Sequence, residues 1–199
     1  MEAVPESFFL PDPDRARPLM HRYLLGLLSA GLGEPADAMR WAAELDRAPS
    51  PAGDPSLAKD LALAVRAETH RLAGKRDAAL AALLLIREPP RYQLVLPSPF
   101  DPRVRERFVR AQLLQEANRL DHARDLYLGI GRRSVYDLPY LAPALLRLAS
   151  IEERQGNPSA ATAGYRRAAE IWDQADPPLQ PEVKAARSRA VRLATLPNP

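Results

Sequence analysis

Hydrophobic residues recur every three or four positions along most of the chain, as they do on one face of an α-helix. Ala161, Tyr165 and Ala168 form one such face, and Val183 and Ala186 begin another. Prolines cluster between these stretches, and because proline loses a backbone hydrogen bond and clashes with the preceding turn, its clusters mark gaps between helices. The pattern predicts nine helices, at residues 19 to 31, 35 to 47, 55 to 73, 76 to 88, 102 to 117, 120 to 130, 140 to 155, 158 to 174 and 181 to 195.

Three of the predicted helix starts have a residue with a short polar side chain directly before a proline. The pairs are Asp54-Pro55, Asp101-Pro102 and Asn157-Pro158. We expect each side-chain oxygen to accept hydrogen bonds from free amides of the first turn, while the proline supplies a helical φ.

A pattern of small and bulky residues recurs at four of the predicted turns between helices. A small residue ends one helix, an alanine follows five positions later in the next helix, and a further residue, bulky in three of the copies, follows four positions after that. The copies are Gly33, Ala38 and Ala42; Gly74, Ala79 and Leu83; Asn118, Ala123 and Tyr127; and Gly156, Ala161 and Tyr165. They are spaced 41, 44 and 38 residues apart, and the helix before each turn contributes a small residue, namely Gly26, Ala67, Ala111 or Ala149.

This pattern resembles the tetratricopeptide repeat, a helix-turn-helix unit in which small residues allow two antiparallel helices to pack closely. The match is best at Leu148-Ala149, Gly156, Ala161, Tyr165 and Ala168, and Leu25-Gly26 matches the family's Leu-Gly pair. The links between units are longer than in the family, and Arg110 replaces the usual leucine. The resemblance implies an all-α fold, a solenoid of about four repeats with a capping helix. It divides the chain into a proline-rich segment (1–18), a repeat array (19–175) and a capping helix with tail (176–199).

The last half of the chain has a narrower resemblance. The run from Ser134 to Pro143, followed by Ile151 to Gly156, Tyr165 to Arg167 and Trp172 to Pro177, is similar to the C-terminal repeat region of some large bacterial signalling proteins. In those proteins a serine/threonine kinase, cyclase or DNA-binding domain precedes the repeats. This likeness implies an alternative function, in which the array senses a signal and controls an effector domain absent from this chain.

Composition supports a helical fold and argues against several function classes. Of 199 residues 46% are hydrophobic, and valine, isoleucine and aromatic residues are scarce, a balance that favours helices over sheets. The net charge is +3, because 25 acidic residues lie between the 25 Arg and 3 Lys. The excess of arginine over lysine is also what a GC-rich genome produces. No basic stripe results, so we do not expect nucleic-acid binding.

Cellular location is addressed by the cysteine count and by hydrophobic length. The chain has no cysteine, which fits the cytoplasm and is also compatible with an exported domain. The run Phe8-Phe9-Leu10 is far too short for a signal peptide or a membrane span, and no other segment approaches one. We therefore expect a cytoplasmic protein without membrane insertion.

No residue pattern in the chain predicts catalysis. His21, His70 and His122 each lack a second histidine or a carboxylate four positions further on, which is the spacing that a helix-borne metal site needs, so no metal site is expected. The run Gly129 to Arg133 follows a helix, and a glycine-closed helix end explains it better than a phosphate loop. Glu152 and Glu153 point about 100° apart on a helix and cannot act as an acid/base pair. We expect no enzyme activity and no cofactor.

A binding surface is implied by the tetratricopeptide resemblance, because the first helix of each repeat lines the concave side of such arrays. The residues expected to face outward there are Tyr23, Leu27, Glu68, Arg71, Phe108, Gln112, Gln115, Leu146, Ser150 and Glu153. They form either a groove for a protein or peptide partner or an ordinary solvated face. The lysine and asparagine with which some family members hold a C-terminal carboxylate are missing from this face, so we do not predict that specificity.

Two segments have an alternative interpretation. In the predicted last helix, Val183, Ala186, Ala190 and Leu193 form an apolar side, so the basic remainder is either a solvated cap or a docking face for an acidic partner. The segment 89–102, with Leu94 to Leu96, lies extended against neighbouring helices or offers an exposed patch.

Self-association is a third hypothesis, and we expect a monomer or a weak homo-oligomer.

Overall fold

The computed structural model describes residues 13–51, 54–87, 103–132 and 134–195. Within these ranges the chain forms nine α-helices and two single-turn 3₁₀ helices, and none of the described residues lies in a strand. The α-helices are α1 (Pro13–Gly31), α2 (Pro35–Arg47), α3 (Leu57–Leu72), α4 (Arg76–Leu85), α5 (Val104–Glu116), α6 (Leu120–Leu128), α7 (Leu138–Arg154), α8 (Pro158–Ile171) and α9 (Gln180–Ala194). The 3₁₀ helices are Val135–Asp137 and Pro177–Leu179.

The all-α prediction and its nine helices are confirmed in the described parts of the chain, with one clear difference at the start. Helix α1 begins at Pro13, six residues before the predicted start, so Pro18 lies inside the helix. A proline this close to a helix start removes one intrahelical hydrogen bond. Ala16, Leu19 and Met20 are buried on this part of α1, and their burial stabilises the early turns despite that loss.

The chain divides into two compact units, residues 1–106 and 107–199. In the N-terminal unit, α1 packs on α2 and α3, and α3 packs on both α2 and α4. Its core includes Leu19, Tyr23, Leu45, Leu61 and Val65. In the C-terminal unit, α7 packs on α6 and α8, and α8 packs on α9.

The turns at the four repeated small residues have one geometry. Gly33, Gly74, Asn118 and Gly156 have φ values of 78°, 73°, 58° and 79°. At each turn the amide of this residue donates to the carbonyl three residues back, and the next amide donates to the carbonyl five residues before itself. These two hydrogen bonds form the Schellman motif, which needs a residue in the left-handed conformation and therefore favours glycine or asparagine.

The small residues of the repeat pattern lie where helices approach closely. Ala38, Ala79, Ala123 and Ala161 are all fully buried. Gly26 has the tightest surroundings, because a Cβ atom built there would lie 2.7 Å from Cγ2 of Val65. The repeated sequence pattern thus corresponds to four helix-turn-helix pairs with equivalent turns, which are α1–α2, α3–α4, α5–α6 and α7–α8.

The predicted helix caps are partly wrong. Asn157 and Pro158 occupy the predicted positions at the start of α8, but the Asn157 side chain makes no capping bond and instead donates to Glu152 Oε2 (2.8 Å). Helix α3 starts after Ser56, and the carboxylate of Asp54 accepts from Ser56 Oγ and Arg103. Both polar side chains therefore bond to other side chains and not to the free amides of the first helical turn. Asp101 and Pro102 lie outside the described residues, as does the whole of the segment 89–102 with Leu94 to Leu96.

Two buried arginine–carboxylate clusters stabilise the regions around α5. In the N-terminal unit, Arg103 has a φ of 50° and donates to Asp60 (2.5 Å) and Asp54 (3.0 Å). In the C-terminal unit, Arg107 donates to Oδ1 of the fully buried Asp137 (2.7 Å), and the other carboxylate oxygen accepts from the amide of Gly131 (3.1 Å). Breaking either pair would leave a charged group buried without its partner.

Helix α9 has the predicted amphipathic character. Val183, Ala186, Ala190 and Leu193 are buried in a core shared with Ala149, Ala161 and Tyr165 of α7 and α8, while the basic residues of α9 are exposed. Among the described residues no helix combines the length and apolar character that crossing a bilayer requires.

Candidate functional site

An open groove of about 640 Å³ lies within the C-terminal unit, between helices α5, α7, α8 and α9. We call it the α5–α9 groove. Its lining residues are Phe108 and Gln112 from α5; Pro143, Leu146, Arg147 and Ser150 from α7; Tyr165 and Trp172 from α8 and its C-terminal cap; and Glu182, Ala185, Ala186 and Arg189 from α9. Every wall comes from a helix, so regular backbone holds the lining side chains in place.

The apolar part of the groove consists of Phe108, Leu146 and Trp172, all of which are half-buried. The Phe108 ring packs edge-on against Tyr127, with centroids 5.8 Å apart, and tilted against Tyr140 at 5.4 Å. Leu146 and Trp172 pack against the core shared by α7, α8 and α9. Since these side chains are anchored on one side and open on the other, they present fixed apolar surface to the groove.

Tyr165 is a buried lining residue of the groove and contacts two charged side chains, Glu153 and Arg189. Its hydroxyl donates to Glu153 Oε2 (2.9 Å) and accepts from Arg189 Nη1 (3.1 Å). The Arg189 guanidinium lies 5.6 Å from the centre of the Tyr165 ring, in cation–π range. Arg192 donates to the other oxygen of Glu153 (2.6 Å). Burial is the main cause that raises the pKa of Tyr165, and the hydrogen bond to Glu153 raises it further, so the residue remains a neutral phenol.

The charged side chains that line the groove are predominantly positive. Arg147 and Arg189 are both exposed, and neither pairs with a carboxylate among the described residues. Glu182, in the first turn of α9, is the one acidic residue in the lining. Gln112 and Ser150 add polar groups whose side chains make no hydrogen bond within the described chain.

The structure brings together four of the six predicted partner-binding residues of the C-terminal unit. Phe108, Gln112, Leu146 and Ser150 all line the groove. The other two have internal roles. Gln115 Oε1 accepts from the hydroxyl of Tyr127 (3.1 Å), and Glu153 bonds to Tyr165 and Arg192.

In the N-terminal unit the expectation of an outward-facing set is wrong for two residues. Tyr23 is only 1% exposed and its hydroxyl donates to Glu106 Oε1, while Glu68 is 7% exposed. Arg71 donates two hydrogen bonds to the Glu68 carboxylate, and Nη2 of Arg105 lies 2.7 Å from Glu68 Oε1. These two arginines compensate the buried negative charge of Glu68. Burial alone would raise the pKa of Glu68, but the bonds and charges of these two arginines hold it below its usual value. Leu27, the remaining predicted residue here, packs partly buried against the core.

Sequence reasoning did not assign Trp172 or Arg147 to a binding surface. Arg189 belonged to the basic side of the predicted last helix, which was interpreted either as a solvated cap or as a docking face for an acidic partner. Nothing in the sequence shows which part of that side borders the groove. Trp172 follows the last turn of α8, where the repeat pattern has no position. The available signal was one exposed basic residue, Arg189, three positions after the buried Ala186 and therefore at the edge of the apolar side of α9.

A second groove, of about 530 Å³, lies in the N-terminal unit and has a different character. Its lining includes Leu19, Arg22, Glu44 and Arg47. Arg22 and Glu44 pair across it at 3.4 Å, and no aromatic side chain lines it. It therefore offers fewer anchoring groups to a ligand than the α5–α9 groove.

The arrangement of the described residues also bears on metal binding and acid/base catalysis. No group of three or more His, Asp or Glu side chains among them is arranged to hold a metal ion. The adjacent glutamates have separate partners, since Glu152 bonds to Arg124 and Asn157 whereas Glu153 bonds to Tyr165 and Arg192. The glycine-rich run closes α6, with Gly129 as its C-cap.

Comparisons with known proteins add no assignment: no family model matches the chain, and neither does any curated protein.

Proposed function

We propose that the four helix-turn-helix pairs are tetratricopeptide-like repeats of a solenoid, and that the chain is a non-catalytic interaction module. Its α5–α9 groove binds a peptide segment of a partner protein. The observation that supports this most directly is the grouping of Phe108, Leu146 and Trp172, each half-buried and open to one groove. A few buried aromatic and arginine side chains often provide most of the binding energy of an interface, and Trp172 and Arg189 are of these types.

The dimensions of the groove suit a short segment. Its volume of about 640 Å³ lies within the range of ~300–1,000 Å³ found for ligand sites. The groove is open to solvent on one side, so a peptide segment can enter it from there. Gln112 and Ser150 offer an amide and a hydroxyl for hydrogen bonds to a peptide backbone.

The experiment begins with a random-peptide display selection against the immobilised protein, followed by fluorescence anisotropy with the enriched peptides. Ser150→Gln/Ala185→Gln fills the groove with uncharged side chains at one half-buried and one exposed position. Ala160→Gln/Ser188→Gln places the same side chains on exposed positions of α8 and α9 outside the groove. We expect the first variant to bind enriched peptides about tenfold more weakly, equivalent to ~1.4 kcal/mol, and the second to bind as the wild type does.

Both variants are first compared with the wild type by circular dichroism and thermal unfolding, so that a folding defect is distinguished from a blocked groove. The absence of enriched peptides, or equal binding by both variants, would remove the groove as the binding site.

A further inference from the structure

We infer that the peptide segment bound in the α5–α9 groove is acidic, with aspartate or glutamate side chains next to a large apolar side chain. This rests on the proposed function and specifies the chemistry of the partner. Arg189 of α9 places one positive charge in the groove, and its guanidinium is held by the ring and hydroxyl of Tyr165. A neutral phenol orients the arginine without cancelling its charge, and most of its five N–H donors stay available.

Arg147 provides a second positive charge on the α7 side of the groove. It is exposed, and no described carboxylate pairs with it. Elsewhere in this unit the arginines of α9 are neutralised, because Arg187 pairs with Asp173 and Arg192 with Glu153. Arg147 and Arg189 therefore differ from Arg187 and Arg192 in lacking an acidic partner among the described residues.

The remaining lining residues limit what a ligand can be. Glu182 is the single acidic lining residue, so the groove has one more positive than negative charge. A basic segment would bring its own cations close to Arg147 and Arg189 without compensation, which costs binding energy. A carboxylate can pair with either guanidinium through two parallel hydrogen bonds. An adjacent apolar side chain then fills the space beside Phe108, Leu146 and Trp172.

The test compares display selections against the wild type and against Arg147→Gln/Arg189→Gln, with the library peptides fused at both ends so that no free C-terminal carboxylate is present. A control variant, Arg166→Gln/Lys184→Gln, removes the same charge from exposed positions of α8 and α9 outside the groove. We expect at least a twofold excess of aspartate and glutamate in peptides enriched by the wild type and by the control, and no such excess with the groove variant.

Affinities measured by fluorescence anisotropy provide the second readout. Replacing the acidic residues of an enriched peptide by glutamine should weaken binding to the wild type by at least tenfold and leave binding to the groove variant nearly unchanged. Because Arg189→Gln also removes a bond to Tyr165, Arg147→Gln is measured alone as well, and it should show the same effect at a smaller size. Wild-type affinity should fall as sodium chloride rises, since screening weakens exposed charge pairs.

The outcomes separate this inference from the proposed function. Enriched peptides that need the groove but have no acidic excess would overturn the acidic specificity and leave peptide binding in place. If no peptide binds the groove, both proposals fail. Tighter binding of a single-stranded oligonucleotide than of any peptide, abolished by the same arginine substitutions, would identify a nucleic acid as the occupant and overturn the inference.

Discussion

Alanine substitutions at Gly31 and Gly33 should change stability in opposite directions, although the two residues belong to the same turn. A Cβ atom at either position would have no neighbouring atom within 4 Å, so packing does not enter. Gly31 is the last residue of α1, whereas Gly33 has a φ of 78°. The difference between the substitutions is therefore a difference of backbone conformation alone.

The magnitudes follow from the cost of each conformation. A residue with a Cβ atom pays roughly 1–2 kcal/mol in the left-handed region, and the lower entropy of unfolded alanine offsets about 0.4–1 kcal/mol of this. We expect Gly33→Ala to lower the free energy of unfolding by about 1 kcal/mol. Alanine exceeds glycine in helix propensity by roughly 0.5–1 kcal/mol, less at a helix end, so Gly31→Ala should raise it by about 0.5 kcal/mol.

Urea unfolding measures both changes. Trp41 is in the N-terminal unit, and in a Trp172→Phe background its fluorescence reports on that unit without a second tryptophan. Equal urea dependence of the unfolding free energy in all variants shows that midpoint shifts reflect stability. If Gly33→Ala is as stable as Gly31→Ala, the left-handed turn does not exist as described, and the equivalence of the four turns fails with it.

Three further predictions concern the buried groups. Asp137→Asn should cost about 3 kcal/mol in urea unfolding because it leaves the buried Arg107 without its charge partner, and Arg107→Met/Asp137→Leu should recover much of this loss; a cost below 1 kcal/mol would contradict the buried pair. The pKa of Glu68 is lower in the folded state than its usual value, so its contribution to folding stability is complete above the unfolded-state pKa and is lost as pH falls through the folded-state pKa. The stability difference between wild type and Glu68→Gln should therefore shrink on acidification below about pH 4.5. A difference that does not change with pH would refute the stabilisation of the Glu68 carboxylate by its two arginines. Gly26→Ala should destabilise by about 1 kcal/mol in thermal unfolding because its Cβ overlaps Val65, and Val65→Ala in the same chain should remove the overlap; a stabilising Gly26→Ala would exclude the close approach of α1 and α3.

The helices and their turns could be predicted from the sequence because their determinants are local. Gly156 favours a left-handed turn wherever it stands, and the spacing to Ala161 and Tyr165 lies within one helix-turn-helix pair. Proline was less reliable, as Pro18 inside α1 shows. A proline signals a helix start strongly, yet burial of neighbouring side chains outweighs one lost hydrogen bond.

The candidate site was only partly predictable because its contacts join distant parts of the chain. Tyr23 looked like a surface residue, but its hydroxyl bonds to Glu106, 83 residues later. Similarly, Arg189 reaches Tyr165 across 24 residues, and this contact depends on how α9 packs on α8. Helical periodicity identifies which side of α9 is apolar, but it does not show which exposed residues border another helix.

Helix α9 is both the end of the packed core and one wall of the groove. Its burial depends largely on Val183, Ala186, Ala190 and Leu193, while Ala185 and Arg189 from the same helix face the groove. The groove is therefore complete only while α9 is docked, and any ligand that contacts α9 must shift its undocking equilibrium by mass action. A ligand bound in the groove would slow amide hydrogen exchange in α9 and tryptic cleavage at the arginines of α9. Both effects can be measured before the ligand itself is identified.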